Sequence, residues 1–169
     1  MLNINACRAV LLTAALFASA CASSVNPKQN LELTFQNGQT AIVKLNDTNP
    51  EIRNAFLNWV DQGVYAQTPV YRQFPGVFLL AGKPRLKGEG YISGPGTPLK
   101  PKHPHYGQIG LVIHADGTVG PELLMVYGVG LTSCCEAPQS IVIGRITSGK
   151  GDLGTVQRGD NLQTIAIQP

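Results

Sequence analysis

Residues 49–82 read NPEIRNAFLNWVDQGVYAQTPVYRQFPGVFLLAG, and this stretch decides the fold. Its first half predicts a helix. Thr48 and Asn49 are good cap residues, Pro50 suits the first helical position, and Glu51 favours the positive end of the helix dipole. The apolar residues that follow have the spacing of one buried stripe: Ile52, Ala55, Phe56, Trp59 and Val60.

The second half of the stretch predicts two strands. Gly63 ends the helix, because glycine tolerates the left-handed conformation common just after a helix. Two apolar runs follow, at residues 70–74 and 77–80. Pro75-Gly76 between them marks a bend or a bulge. The first run carries Arg72 among apolar and aromatic neighbours, which makes this arginine a candidate functional residue.

The rest of the chain reads mainly as short strands. Residues 31–45 predict a β-hairpin, since apolar residues alternate with polar ones on both sides of Asn37-Gly38. The remaining predicted elements are strands at residues 110–115, 123–127, 140–146 and 162–167, a long surface excursion at 82–107 and a second, short helix at 154–158. Many short strands with one or two helices predict a closed β-barrel or a sandwich, with the first helix capping an open end.

Length and charge set broad bounds. The chain has 169 residues and is 43% hydrophobic, which predicts one domain with a sizeable core. Its formal net charge is +3, with the basic residues scattered along the sequence. The densest basic group lies within residues 83–102, where Pro and Gly interrupt it, so it reads as a solvated loop. We therefore expect no nucleic-acid partner.

The N-terminus reads as a targeting segment. Arg8 precedes an apolar run at residues 9–18, which is too short to span a membrane. Ala18-Ser19-Ala20 provides small residues directly before Cys21 and resembles a bacterial lipobox, in which the cysteine is lipidated. Ordinary secretion, with Cys21 incidental, is the alternative. Both interpretations place the protein in the cell envelope, and the lipobox favours a lipid-anchored protein of the periplasm. The expected division is a signal peptide at 1–20, a polar tether at 21–29 and one domain at 30–169.

Five sequence landmarks, in this order, resemble the cyclophilins, which are peptidyl-prolyl cis–trans isomerases. They are the opening hairpin, NPEIRNAFLNWVDQGVYAQT, VYRQFPGVFLLAG, GQIGLVIHADGTVGPELLMVYG and SIVIGRITSG. The resemblance spans residues 31–169. It implies a closed, antiparallel, cyclophilin-like β-barrel that binds proline-containing polypeptides. The family's chemistry is rotation about an X-Pro bond, which implies no cofactor and no metal.

The resemblance also assigns candidate site residues. Arg72 matches the catalytic arginine of the family, and Tyr71 stands where histidine is usual. Phe78 or Val77 matches a phenylalanine of the proline pocket. The other residues implied to bind substrate are Ala115, Asp116, Glu122 and Leu124, of which Glu122 replaces a glutamine and Leu124 a phenylalanine.

These departures leave several functions open. Glu122 could hold Arg72 away from substrate, or orient it towards the prolyl nitrogen. The expected function is a peptidyl-prolyl isomerase of reduced or altered activity on envelope proteins. One alternative is a non-catalytic binder of proline-containing peptides. The other is a structural envelope lipoprotein whose groove is a relic.

Other reactive side chains give weaker signals. His103 and His105 lie near no further ligand and form a poor metal site. His114 precedes Ala115 in the matched strand and reads as a packed or hydrogen-bonded residue close to the groove. Cys134 and Cys135 are adjacent, with Cα atoms about 3.8 Å apart, so a disulfide between them would be strained.

Overall fold

A computed structural model describes residues 29–46, 50–83, 92–93, 105–129 and 137–168. Several predictions lie outside these residues. They concern the signal peptide, the tether up to residue 28, Cys21, the cap residues Thr48 and Asn49, most of the 82–107 excursion, His103, Cys134 and Cys135. Within the described ranges, no helix has both the length and the apolar character needed to cross a membrane.

The described part is mainly β-structure. Its strands are β1 (Asn30–Phe35), β2 (Thr40–Leu45), β3 (Thr68–Phe74), β4 (Phe78–Gly82), β5 (Ile92–Ser93), β6 (Gln108–Ile113), β7 (Thr118–Val126), β8 (Ser140–Ser148) and β9 (Asn161–Gln168). One α-helix, α1 (Pro50–Asp61), lies between β2 and β3, and one 3-10 helix (Asp152–Thr155) lies between β8 and β9.

Eight of the strands close into an antiparallel barrel. Their order is β4-β3-β9-β1-β2-β8-β6-β7, and pairing of β7 with β4 completes the circle. The two-residue β5 adds to the start of β7. The barrel prediction is therefore confirmed, and the sandwich is excluded. Closure leaves no long unpaired strand edge in the eight-stranded wall.

Alternating side chains fill the barrel. Leu31, Leu33 and Phe35 of β1 are completely buried, and they alternate with more exposed residues. They pack in one large apolar cluster with inward residues of the other strands. The hairpin prediction is confirmed, since β1 pairs with β2 across a turn in which Gly38 has φ +82°. Asn37 supports this turn because its side-chain oxygen accepts a hydrogen bond from the Gln39 amide at 3.1 Å.

Helix α1 packs against this core. It buries Ile52 and Phe56 of the predicted stripe, and Trp59 and Val60 contact the core while partly exposed. Leu57 is also buried although it lies beside the stripe. The glycine at position 63 follows the helix with φ +68°, as the sequence predicts.

The second predicted helix is confirmed only in part. The structure has a 3-10 helix at Asp152–Thr155, which overlaps the predicted 154–158 only at residues 154 and 155. Leu153 and Val156 are both fully buried, and their spacing of three residues matches the pitch of a 3-10 turn. Val156 is extended, with φ −70° and ψ 129°, so the chain cannot continue as a helix.

Tyr65 provides a test of the core. Its ring packs against Phe56 with centroids 5.6 Å apart, and its residue is only 1% exposed. No described residue offers its hydroxyl a hydrogen bond. Tyr65→Phe removes this buried, unpartnered hydroxyl, so we expect the variant to be about 1 kcal/mol more stable in urea unfolding at pH 8.

The same residue predicts a dependence on alkaline pH. Burial raises the pKa of Tyr65 well above its ordinary value of 10.0. Above that pH the unfolded chain loses a proton that the folded chain keeps, so wild-type stability falls as pH rises, whereas below it the group has no effect. The advantage of Tyr65→Phe should therefore grow between pH 9 and about pH 11. An advantage that does not change over this range would contradict the assignment.

Candidate functional site

The candidate catalytic residue, Arg72, lies on β3 and is exposed. It stands opposite Leu80 of β4, and Leu80 stands opposite Leu124 of β7. Residues directly opposite one another in a sheet share a face. Arg72, Leu80 and Leu124 therefore form a row across three adjacent strands on the outer wall of the barrel.

A β-bulge places Tyr71 on the same outer face as Arg72. The pairing of β3 with β4 shifts between Val70 and Arg72, so Tyr71 is an extra residue without a partner in the ladder. Val70 belongs to the interior core, whereas Tyr71 packs against the outer cluster described below. Regular alternation would have put Tyr71 and Arg72 on opposite faces. The bulge thus brings an aromatic side chain and a cation to one surface.

Beneath Arg72 lies a second apolar cluster, which we call the outer cluster. Its members are Val77, Phe78, Leu80, Val112, Leu124, Val126 and Ala137. The guanidinium carbon of Arg72 lies 5.7 Å from the centroid of the Phe78 ring, within the range of a cation–π contact. Phe74 stacks on the same ring, with centroids 6.1 Å apart and planes inclined by 23°.

The floor of the outer cluster is buried in this structure. Phe78 and Leu124 are 0% exposed, and Leu80 is 3% exposed. The apolar surface that is accessible beside Arg72 belongs to Phe74, which is 37% exposed, and to the half-buried Tyr71. A ligand that contacts Phe78 or Leu124 directly would require a rearrangement that exposes them.

Glu122 is a buried carboxylate at the same face. It lies on β7 two residues before Leu124 and opposite Gly82 of β4. It is 5% exposed, and its Oε2 atom lies 3.4 Å from Nε2 of His114. His114 follows β6 and donates its backbone N–H to Thr118 of β7 at 2.9 Å, which holds the imidazole beside the carboxylate. The structure thus gives Glu122 a histidine neighbour, which the sequence did not predict.

Ala115 and Asp116 lie in the exposed turn between β6 and β7. The Asp116 carboxylate accepts hydrogen bonds from the Thr118 amide at 3.0 Å and the Thr118 hydroxyl at 2.7 Å. Asp116 therefore stabilises its own turn. The structure brings Arg72, Tyr71, Phe78, Glu122 and Leu124 to one face, with Ala115 and Asp116 at the end of two of its strands.

The choice between Val77 and Phe78 stays open. Val77 and Phe78 both belong to the outer cluster, so either fits the phenylalanine position implied by the resemblance. On the neighbouring part of β4, Leu80 also lies on the outer face, whereas Ala81 packs in the interior core. Among the described residues there is no group of three or more His, Cys, Asp and Glu side chains arranged to hold a metal ion.

Comparisons with solved structures show that the fold is cyclophilin-like. A cyclophilin-type peptidyl-prolyl cis–trans isomerase of Cryptosporidium parvum superimposes with a TM-score of 0.64 at 16% identity, over 84% of this chain and 98% of the other. The structure of that protein in the presence of the dipeptide Ala-Pro gives 0.63 at 15% identity, over 83% and 99%. A cyclophilin from Hirschia baltica gives 0.61 at 11% identity, over 85% and 75%.

Comparisons of sequence give a different result. No protein-family model matches the chain, and no curated protein matches it. At 11–16% identity, the structural similarity defines the architecture of the barrel and leaves the activity to be argued from the site.

Proposed function

We propose that this protein is a peptidyl-prolyl cis–trans isomerase. The observation that carries the proposal is the position of Arg72, exposed on the bulged strand of a cyclophilin-like barrel, 5.7 Å from the ring of Phe78. The structure solved in the presence of Ala-Pro is a neighbour in fold, which supports proline-containing polypeptides as the substrate class.

The chemistry requires only that a twisted amide be stabilised. Rotation about an X-Pro bond has a barrier of about 20 kcal/mol, because resonance gives the C–N bond partial double-bond character. As the bond twists, the lone pair localises on the prolyl nitrogen. The guanidinium of Arg72 can donate a hydrogen bond to that nitrogen, an interaction that exists only while the amide is twisted. Tyr71 and Phe74 offer ring surface to the proline.

The buried state of the outer cluster supports a reduced activity. A proline ring that packs on Phe78 and Leu124 must first expose side chains that are buried here. Exposing these side chains costs free energy. This cost weakens the binding of the substrate and of the transition state equally, since both need the same surface. Catalysis should therefore be weaker than with a preformed apolar pocket.

The test is exchange NMR on a short peptide that contains Ala-Pro. The full chain should increase the rate of cis–trans exchange in proportion to its concentration. Saturable changes in peptide chemical shift without faster exchange would instead favour a non-catalytic binder of the same peptides. If the chain causes no faster exchange and shows no saturable binding, both functions are contradicted. The structural lipoprotein would then be the remaining hypothesis.

We further propose that the substrates are envelope proteins and that the protein acts in the periplasm, anchored by a lipid on Cys21. The support is Arg8, the short apolar run and the small residues directly before Cys21. Labelling with radioactive palmitate in a bacterial host tests this proposal. We expect label on the wild type and none on Cys21→Ser; an unlabelled wild type would favour ordinary secretion.

A further inference from the structure

A pocket lies on the opposite wall of the barrel from Arg72. It has a volume of about 270 Å³ and is lined mainly by Lys44, Asn46, Gln108, Gly144, Arg145 and Thr147. Strands β3 and β8, which carry Arg72 and Arg145, are four steps apart in either direction around the eight-stranded circle. This pocket is therefore separate from the candidate isomerase site.

Two cations face each other in the pocket. Lys44 of β2 stands directly opposite Arg145 of β8, and both are exposed. Residues so placed on adjacent strands have Cβ atoms about 5 Å apart, and like charges there destabilise the sheet. Within the described residues, neither cation has an ion pair with a carboxylate. None of the residues that line the pocket is acidic. An anion between the two cations would relieve their repulsion.

Polar groups extend this row of cations. Gln108 of β6 stands opposite Arg145. Its Oε1 atom accepts a hydrogen bond from the His105 amide at 2.7 Å, which leaves the NH₂ of the same side chain as a donor group. Asn46 adds a second amide at the pocket wall. The pocket thus combines two positive charges with side-chain amides that can donate hydrogen bonds.

Gly144 keeps the two cation-bearing strands close together. A Cβ atom at this position would lie 2.7 Å from the backbone oxygen of Lys44, and 3.0 Å from a methyl carbon of Val43. A larger residue would therefore push β8 away from β2 and separate Lys44 from Arg145. Glycine here preserves the short spacing on which simultaneous contact with one anion depends.

We propose that this pocket binds a phosphate group. Two adjacent cations match the double negative charge of a phosphate monoester, and the fork of an arginine side chain matches two of its oxygens. Lys44 supplies a point charge from the facing strand. A carboxylate carries one charge and leaves the like-charge pair only partly neutralised. The phosphate monoester can belong to a soluble molecule or to a lipid headgroup such as that of phosphatidic acid, and both present the same doubly charged group to the pocket. This proposal does not depend on isomerase activity.

The primary test is an NMR titration of the full chain with inorganic phosphate at constant ionic strength. We expect saturable shifts confined to amides of residues 44–46, 108 and 144–147. Arg145→Gln and Lys44→Gln should each weaken binding about tenfold, since each removes a charge-assisted hydrogen bond. Arg158→Gln is the matched control, because Arg158 is exposed, carries the same charge and lies outside the pocket. Its affinity for phosphate should equal that of the wild type.

A second measurement covers the case in which a variant disturbs local structure. Replacing chloride by phosphate at equal ionic strength should raise the melting temperature of the wild type and of Arg158→Gln, because a ligand that binds the folded state stabilises it. It should not raise that of Arg145→Gln. Equal phosphate affinity in wild type and Arg145→Gln, shifts that do not saturate, or equal shifts with acetate would overturn the proposal.

Two further arms identify the source of the phosphate. Glycerol 3-phosphate represents a soluble monoester, and vesicles that contain phosphatidic acid represent a lipid whose headgroup is a phosphate monoester. Vesicle binding that is lost in Arg145→Gln and competed by inorganic phosphate would assign a lipid. Saturable binding of glycerol 3-phosphate without vesicle binding would assign a soluble ester.

Discussion

Arg72→Ala is expected to reduce the isomerase acceleration by about 100-fold, the effect typical of removing one donor aimed at charge that develops in a transition state. The lone pair of the prolyl nitrogen becomes available only as the amide twists, so the lost hydrogen bond affects the barrier more than substrate binding. The assay is cis–trans exchange of an Ala-Pro peptide by NMR. We expect the exchange rate to fall while saturable peptide shifts remain.

Two further variants make this result specific. Arg158→Ala removes an equally exposed arginine, whose backbone N–H donates to Gln73 of β3 at 3.2 Å, and should leave the rate unchanged. Arg72→Lys retains the positive charge but lacks the planar guanidinium group. An intermediate rate would indicate that the orientation of the hydrogen-bond donor matters as well as the charge. Folding should survive in Arg72→Ala, since a cation–π contact at an exposed site contributes only about 0.5–1 kcal/mol. Unchanged acceleration in Arg72→Ala would refute its catalytic role.

The elements that sequence predicts well are those with a local physical cause. Gly38 and Gly76 adopt φ of +82° and +74°, values that favour glycine, so these two turns could be located from the pairs Asn37-Gly38 and Pro75-Gly76 in the sequence. Helix α1 was predictable because Ile52 and Phe56 repeat with the helical period. The burial of Leu57 was not, because it depends on which part of the barrel core the helix meets.

The candidate site depends on register, which a single sequence does not reveal. In a regular strand, side chains alternate between the two faces, so Tyr71 and Arg72 would lie on opposite faces. The bulge in β3 places both on the outer face. The contact of His114 with Glu122 requires the exact turn geometry between β6 and β7. Lys44 and Arg145 are far apart in sequence and meet only because β2 pairs with β8.

Register also separates the two proposed activities. In the proposed isomerisation, Arg72 would act on a neutral amide whose nitrogen becomes more basic, which requires one donor beside apolar surface. Lys44 and Arg145 face each other beside the side-chain amides of Asn46 and Gln108, an arrangement that favours charge neutralisation. The two proposed sites thus place an arginine on opposite walls of the barrel, and each can be altered by substitution without touching the other.

The largest expected loss of stability comes from Gly128→Ala. A Cβ atom at this position would lie 1.6 Å from the backbone oxygen of Gly76 and 2.5 Å from its carbonyl carbon. Backbone atoms cannot avoid this overlap by a change of rotamer. Relief requires the turn between β3 and β4 to move, although the Gly128 amide donates to the Val77 oxygen in that turn at 3.0 Å. We expect a loss of about 3 kcal/mol or more in urea unfolding and a melting temperature lower by roughly 10 °C.

Gly154→Ala is the matched control for this substitution. Its nearest contact is a ring carbon of Tyr127 at 3.8 Å, an ordinary van der Waals distance, so stability should change by less than about 1 kcal/mol. Gly128→Ala should also slow isomerisation below the melting transition, because the displaced turn connects the strand of Arg72 to Phe78. An unchanged urea midpoint would show that the chain after β7 moves away from the turn at little cost. A lower midpoint with an unchanged exchange rate would show that the spacing between Arg72 and Phe78 does not depend on this turn.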